Sequence, residues 1–329
     1  MSSSSHRFPF VSVIIPTYNR CDLLGDLLDS LCKQTYPPGA FEVIVVDNGS
    51  GDGTESLVDC FLNKGILKVS YYRKNFKSAG ASRQFALSVG LGEIIAFVDS
   101  DCVVLPEWLE RGVAAFEDRI GLVQGKAIPN PNQPRYLLEK TVSVTTEGPS
   151  YETCNIFYRK AALEEVGGFS PEYEEFGYPY FGEDIDLALK VKRAGYGTTF
   201  CEEALAYHQV FRVSFWQWFL EMRSAFTWPY IVMKFPEIRK QLYKRYFLFK
   251  STAFFVFLLV GVLGSLLLHW PFVLLGVPYL VLRFLECGKG NRKYSLFLRF
   301  CRIAAGLPRT LFLFLVLLCG SIRFRCLVL

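Results

Sequence analysis

The sequence predicts a doubly wound α/β domain with a mostly parallel sheet, followed by C-terminal helices suited to lipid rather than water. Three observations carry this. Short apolar runs rich in β-branched residues recur at residues 11–16 (VSVIIP), 41–47 (FEVIVVD) and 92–99 (GEIIAFVD), the pattern of buried parallel strands. Helical spacing separates them: residues 20–34 place Leu23, Leu24, Leu27, Leu28 and Leu31 on one stripe, and residues 78–90 offer a second helix. Acidic residues nearly vanish after Glu237, leaving only Glu286 between Lys250 and Leu329, while Leu, Phe and Val dominate there.

Taken in order, residues 1–10 form a polar, Ser-rich tail without an apolar core segment, so no signal peptide is expected and the soluble part is expected on the cytoplasmic side. A main domain follows over residues 11–210. Its strands end in Thr17, Asp47 and Asp99, where doubly wound sheets bind ligands. Residues 129–149 carry Pro, Asn and Thr without periodicity and read as a loop-rich excursion. A strand and short helix are expected over residues 156–168. Residues 183–195 (EDIDLALKVKRAG) form a well-marked helix opened by Glu183 and Asp184, a pair that either serves the helix dipole or does chemistry.

Residues 211–245 mix Trp216, Trp218, Phe219, Phe226 and Trp228 with Arg212, Arg223 and Lys234. Such a segment lies in a headgroup layer or packs on the main domain. Residues 246–329 hold two or three hydrophobic helices. Residues 251–268 match one bilayer thickness, and residues 270–285 add a shorter run; bases flank the outer ends of the pair, as in a hairpin with cytoplasmic termini. Residues 307–322, interrupted by Pro308 and Arg309, form a third span or a re-entrant or interfacial helix.

The net charge of +5 is concentrated beside the apolar runs, at residues 239–250 and 289–302, which suits anionic headgroups and not a nucleic-acid footprint. The ten cysteines show no CxxC pair and no zinc spacing, so they read as reduced, buried small residues. The triplet Asp99, Ser100 and Asp101 comes directly off an apolar strand. Two carboxylates so placed can hold a hard divalent cation while its other positions take diphosphate oxygens.

Five segments, VSVIIPTYNR, VVDNGSGDGT, RKNFKSAGASRQFAL, FVDSDC and FGEDIDLALKVKRAGY, resemble in order and spacing the family-2 glycosyltransferases of GT-A fold, over residues 11–208. The resemblance implies an inverting transfer from a nucleotide diphosphate sugar, dependent on Mg or Mn, to a membrane-proximal acceptor, lipid-linked or a cell-envelope glycan. It implies that Pro16, Thr17 and Tyr18 lie against the nucleoside, that Asp47 hydrogen-bonds the base, and that Arg73, Gly80 and Arg83 form the nucleotide-side wall. Asp99, with Ser100, would face the ribose or sugar and Asp101 the metal. Asp184 would be the general base, with Glu183 beside it as a like charge that raises proton affinity. His208 stands where related enzymes supply an imidazole to the same cation.

One departure from the processive members is visible. No Gln-x-x-Arg-Trp motif follows His208, the nearest residues being Trp216, Gln217, Trp218 and Arg223, so polymer extrusion is not expected. A nucleotidyltransferase would want a Gly-rich phosphate loop, which VSVIIPTYNR lacks. A non-catalytic assembly subunit would tolerate loss of a carboxylate, yet Asp47, Asp99, Asp101 and Asp184 are all present. Tyr136, Tyr151, Tyr173, Tyr178 and Tyr180 are expected to shape the acceptor side, since aromatic rings stack on sugar faces.

Overall fold

The apolar runs of the sequence become the centre of a sheet in the computed structural model, which describes residues 8–176, 182–286 and 296–329. Two units are present, Met1–Val213 and Ser214–Leu329. In the first, β1 (Val11–Thr17), β2 (Phe41–Asp47), β3 (Val69–Arg73) and β4 (Ile94–Val98) pair in parallel in the order β3-β2-β1-β4. Every residue of β1, β2 and β4 is buried. Alternate side chains serve two cores, Val13 and Ile15 in one and Ile14 in the other, as period-2 strands with both faces covered require. The helices α1 (Cys21–Leu31), α2 (Thr54–Lys64) and α3 (Ala79–Val89) make the crossovers. The leucine stripe read from the sequence is the buried face of α1, through Leu24, Leu27, Leu28 and Leu31.

Beyond β4 the sheet continues through β5 (Cys102–Val104), β6 (Ile120–Pro129), β8 (Asn155–Arg159) and β9 (Gly197–His208), with β7 (Glu139–Lys140) standing apart. The full order is β3-β2-β1-β4-β8-β6-β9-β5. β8 runs antiparallel to β4 and β6, and β5 antiparallel to β9, whereas β6 and β9 are parallel. The helices here are α4 (Trp108–Ala114), α5 (Lys160–Glu165), α6 (Glu172–Glu175) and α7 (Glu183–Arg193). A short ribbon joins β7 to β10 (Phe211–Arg212), and the Val213 amide donates to Leu138 O, so the first unit runs to Val213.

One buried side chain locks this half of the sheet. The Asn155 Nδ2 donates to Lys126 O and Ala204 O, each at 2.8 Å, and its Oδ1 accepts from Trp108 Nε1 at 2.8 Å. The amide therefore ties β8 to β6, β9 and α4. Gly125 makes room for it, because a Cβ there would stand 2.4 Å from Asn155 Oδ1.

The second unit begins with α8 (Phe215–Leu220), capped reciprocally by Ser214 and Gln217. A 3-10 segment (Glu221–Thr227), α9 (Trp228–Lys234) and another 3-10 turn (Pro236–Lys240) follow, so the aromatic and basic stretch is broken rather than one helix. Within it Trp218 and Trp228 are buried and Trp216 is exposed. Then come α10 (Lys250–Leu267), a 3-10 segment (Trp270–Gly276), α11 (Val277–Glu286) and α12 (Leu296–Phe324). Among the described residues two helices are long and apolar enough to cross a membrane, Lys250–Leu267 and Arg299–Phe324, with mean hydropathies of 1.9 and 2.0. The second arm expected for a hairpin is instead a 3-10 segment and the ten-residue α11, about 15 Å long.

The interruption expected at Pro308 and Arg309 does not end the helix, and α12 runs through both. Proline removes one backbone donor, and the Thr310 hydroxyl donates to Gly306 O at 2.9 Å in that turn. The cysteines are not uniformly buried: Cys102, Cys154 and Cys201 are, but Cys60, Cys301 and Cys319 are exposed. Cys287, Tyr178, Tyr180 and the bases at residues 289–295 lie outside the described residues.

Replacing Asn155 with Ala strands a buried indole N–H and two carbonyls, and is expected to lower stability by about 2–4 kcal/mol. Thermal unfolding of the purified chain, followed by circular dichroism, checks this; an unchanged transition would refute the role given to Asn155.

Candidate active site

The carboxyl ends of β1 and β4 open onto a cavity of about 630 Å³ whose walls include Pro16, Thr17, Tyr18, Asn48, Arg83, Asp99 and Ser100. Tyr18 is exposed at its edge, while Thr17 is buried with a hydroxyl that has no hydrogen-bond partner. The residues 75–79 before and at the start of α3 close another side. Ser78 starts that helix, its hydroxyl accepting from the Ala81 amide at 3.1 Å.

Arg83, one turn into α3, is the hub of this region. Its side chain is 5 % exposed, and Nη2 donates to Asp99 Oδ1 at 2.6 Å while Nη1 reaches Glu183 Oε1 at 3.3 Å. Asp184 Oδ1 lies 4.0 Å from Nη1. Three carboxylates from the end of β4 and the start of α7 thus share one buried guanidinium, whose Nε has no partner. The Asp184 Oδ2 accepts from the Thr153 amide at 3.1 Å and its hydroxyl at 3.0 Å, and Oδ1 is buried without a hydrogen bond. Burial raises the Asp184 carboxyl above the usual range, against the opposing pull of Arg83 and Thr153. Burial and the charge of Asp184 push Glu183 up to about 7, again against Arg83.

Gly80 belongs to this hub and not to the first cavity. A Cβ on Gly80 would fall 2.2 Å from Glu183 Oε2, so the absent side chain is what lets the carboxylate settle on α3.

A second cluster forms where β5 meets β9. Antiparallel pairing sets Cys102 opposite His208, which brings His208 Nε2 to 3.6 Å from Asp101 Oδ1. The His208 Nδ1 is 2.9 Å from Gln209 O, so the tautomer with Nδ1 as donor leaves the Nε2 lone pair toward Asp101. Asp101 Oδ1 is buried without a hydrogen-bond partner, and Oδ2 is bound by Arg20 Nη1 at 2.7 Å. Burial raises the Asp101 carboxyl, with His208 and Arg20 opposing. An orphaned carboxylate oxygen beside an imidazole lone pair is a donor set that fits a divalent cation. Cys102 Sγ lies in the same cluster, but burial pushes its thiol well above the usual range, leaving a protonated sulfur that contacts Cys154 O at 3.6 Å.

Asp47 and Arg73 are not among the residues that line the cavity. Asp47 is fully buried; Oδ1 accepts from the Ser50 amide and hydroxyl at 2.9 and 2.6 Å, and Oδ2 from Tyr71 OH at 2.6 Å. Three of the roughly four acceptor positions of the carboxylate are therefore taken inside the chain. Arg73 binds Ser50 O and Glu55 on the outer side of the same loop. Tyr151 and Tyr173 are buried, with hydroxyls on Glu147 and Asp186, so neither ring offers a face for sugar stacking. Sequence reading missed Arg20 and Thr153. Arg20 stands inside VSVIIPTYNR, but its partner is 81 positions away, and no local pattern marks Thr153.

Two family models match the chain, "Glycosyl transferase family 2" over residues 12–167 and "Glycosyl transferase family group 2" over residues 94–317. The chain is similar to the glycosyltransferase AglE of Haloferax volcanii, 31% identical over 210 residues that cover 61% of this chain and 67% of that protein. It is also similar to the poly(ribitol-phosphate) beta-N-acetylglucosaminyltransferase TarS of Staphylococcus aureus, 36% identical over 168 residues, 49% of this chain and 29% of TarS. The chain thus spans just under a third of TarS. Among solved structures, a mannosyltransferase from Pyrobaculum calidifontis, determined with GDP-Man and Mn2+, shares the fold with a TM-score of 0.58, at 19% identity over 97% of this chain and 88% of that one.

Replacing Arg83 with Gln is expected to cost about 3–5 kcal/mol at neutral pH by leaving buried carboxylates unpaired. The sign follows from the raised carboxyls: beside the loss of the Asp99 pair, the share of the penalty from Glu183 and Asp184 is small while they are protonated, and grows as pH rises through the folded value of about 7 for Glu183. Thermal unfolding at about pH 5 and about pH 8 checks this, since the deficit against wild type should widen at the higher pH. A pH-independent deficit would contradict it.

Proposed function

The chain belongs to the family-2 glycosyl transferases, and from that premise we propose that it moves a sugar, with inversion, from a nucleotide diphosphate sugar to a membrane-proximal acceptor. The observation that carries the reading is the convergence of Asp99, Glu183 and Asp184 on Arg83 at the edge of a cavity open at the ends of the strands. The donor occupies that cavity, with its nucleoside against Pro16, Thr17 and Tyr18 and its sugar toward Asp99 and Ser100. Arg83 holds the acids in place, and Gly80 keeps Glu183 against them. Asp47 and Arg73 shape the loop after β2 instead of touching the base, because their polar atoms are engaged with Ser50, Tyr71 and Glu55.

Asp184 is the general base. Thr153 fixes its orientation through one oxygen, while the other is free of hydrogen bonds and takes the acceptor hydroxyl proton. Burial raises its proton affinity, which suits that step. Glu183 supports it as a neighbouring charge. Asp101 and His208 would hold a divalent cation, Mg or Mn, which when bound offsets the charge developing on the departing diphosphate. Arg20 both binds Asp101 and lines the cavity, and so adds a positive group on the diphosphate side.

The acceptor is a lipid-linked or cell-envelope glycan. Two long apolar helices support an integral anchor in the cell membrane, and the basic stretch of residues 239–250, which runs into the start of α10, supports a cytoplasmic catalytic unit. The name of TarS, which states poly(ribitol-phosphate) as its acceptor, supports an envelope polymer or its precursor.

Release of nucleoside diphosphate from a panel of nucleotide sugars, in detergent, tests the reaction. Turnover should require Mn or Mg, vanish with EDTA, and fall by roughly 10²–10⁴-fold in Asp184→Asn while donor binding persists. Full activity in that variant would sink the assignment of the base. Asp101→Asn should lose Mn2+ binding by electron paramagnetic resonance, and binding as tight as wild type would remove Asp101 from the metal site.

A further inference from the structure

The helical unit contains a cavity of its own, about 410 Å³, whose lining includes Lys250, Ser251, Arg283, Glu286, Arg309 and Thr310. It is not part of the donor site, since none of these residues belongs to the first unit. Its chemistry is out of keeping with its setting. α10 and α12, which supply four of those six residues, are the two helices among the described residues long and apolar enough to cross a membrane, and ionisable groups in such helices are costly, so that they mark functional sites.

The charges do not balance among themselves. Arg283 Nη1 is paired with Glu286 Oε2 at 2.7 Å, and Arg309 Nη2 with Glu221 Oε2 at 3.1 Å. Among the described residues that leaves Lys250, whose Nζ lies over the Phe254 ring at 5.7 Å and faces no carboxylate, as the uncompensated positive charge of the cavity wall. Both arginines also keep a buried Nε with no hydrogen-bond partner, an orphaned donor on each guanidinium. Gly306 lines the cavity as well, and a Cβ there would come within 3.1 Å of Arg283 Nη2, so the absent side chain leaves the guanidinium its room. Lys250 and Ser251 are the first residues of the 18-residue α10; the Thr252 and Ala253 amides are taken by Phe249 O, at 3.2 and 3.4 Å, so it is the Lys250 and Ser251 amides that have no acceptor within the helix, and the helix dipole favours an anion there.

We propose that this cavity is an anion site that takes the phosphate group of a lipid. Two forked guanidiniums, an ammonium and a helix N-terminus match the several oxygens of a phosphate better than the two of a carboxylate. A phosphate that reaches a cavity built on membrane-length helices arrives on a lipid, and basic pockets between such helices bind phosphorylated headgroups. The site does not depend on the sugar-transfer reading, because binding there involves no residue of the candidate active site.

The stacking of Arg309 over Trp218, 4.1 Å from the ring centroid, provides the readout. The full chain in an uncharged detergent, with EDTA present, is titrated with phosphatidic acid, phosphatidylcholine and inorganic pyrophosphate while tryptophan emission is followed; Trp218→Phe identifies the part of the signal that comes from this site. Phosphatidic acid should give a saturable change that phosphatidylcholine does not. Affinity should fall roughly tenfold in Arg309→Gln and severalfold in Lys250→Gln. Lys250 is exposed at the start of α10, so its substitution carries the test if the Arg309 variant does not fold. Equal responses to the two lipids, or a phosphatidic acid response untouched by both substitutions, would overturn the site. Pyrophosphate binding as tightly as phosphatidic acid, with the same residue dependence, would keep the anion site but overturn the lipid as its source.

Discussion

The candidate active site depends on one buried cation. Arg83 sits at 5 % exposure beneath Asp99, Glu183 and Asp184, and without it three acids from distant parts of the chain would repel one another in a poorly hydrated space. Desolvation and mutual repulsion both push the Glu183 and Asp184 carboxyls upward, and the guanidinium opposes that. The balance leaves Glu183 near the middle of the physiological range and Asp184 with an oxygen that no protein group satisfies. A site poised in this way is a poor stabiliser of the fold and a good acceptor of a proton.

The sheet delivers these groups by two different means. Parallel strands place Thr17 and Asp99 at one edge simply because they end there, and the helix dipole tolerates Glu183 and Asp184 at the start of α7. The Asp101 and His208 pair needs the antiparallel register of β5 on β9, and that part of the sheet is braced by Asn155. Gly80 and Gly125 play matching parts, each vacant so that a polar side chain, Glu183 or Asn155, packs directly on backbone. Both devices convert the absence of a side chain into the position of a functional or structural one.

The helical unit follows a separate physical logic. Its apolar surfaces would be a liability in water, and α10 and α12 expose Leu, Val and Phe along their lengths as membrane-length helices do. Against that background Arg283 on α11 and Arg309 on α12 stand out, since each is paired with a carboxylate and still retains a donor without an acceptor.

Although α2, β3 and the strands β5 and β6 were not read from the sequence, the three central strands β1, β2 and β4 with α1 and α3, the acids at the strand ends and the apolar C-terminal helices were legible in it. They depend on local periodicity and on short motifs, which a linear reading resolves. What the sequence left open were relations between distant residues: Arg20 with Asp101, Thr153 with Asp184, and the inward turn of Asp47 onto Ser50 and Tyr71. The aromatic rings misled for the same reason, because Tyr151 and Tyr173 look alike in sequence whether they face a ligand or fill a core. Pro308 and Arg309 read as a break, yet α12 continues through them, since a helix held along its length by neighbours withstands the loss of one hydrogen bond. The sequence by itself thus determined the family, the doubly wound sheet and the residue types available for chemistry. Only the tertiary structure decided which of them meet, because burial, register and charge balance are properties of contacts between residues far apart in the chain.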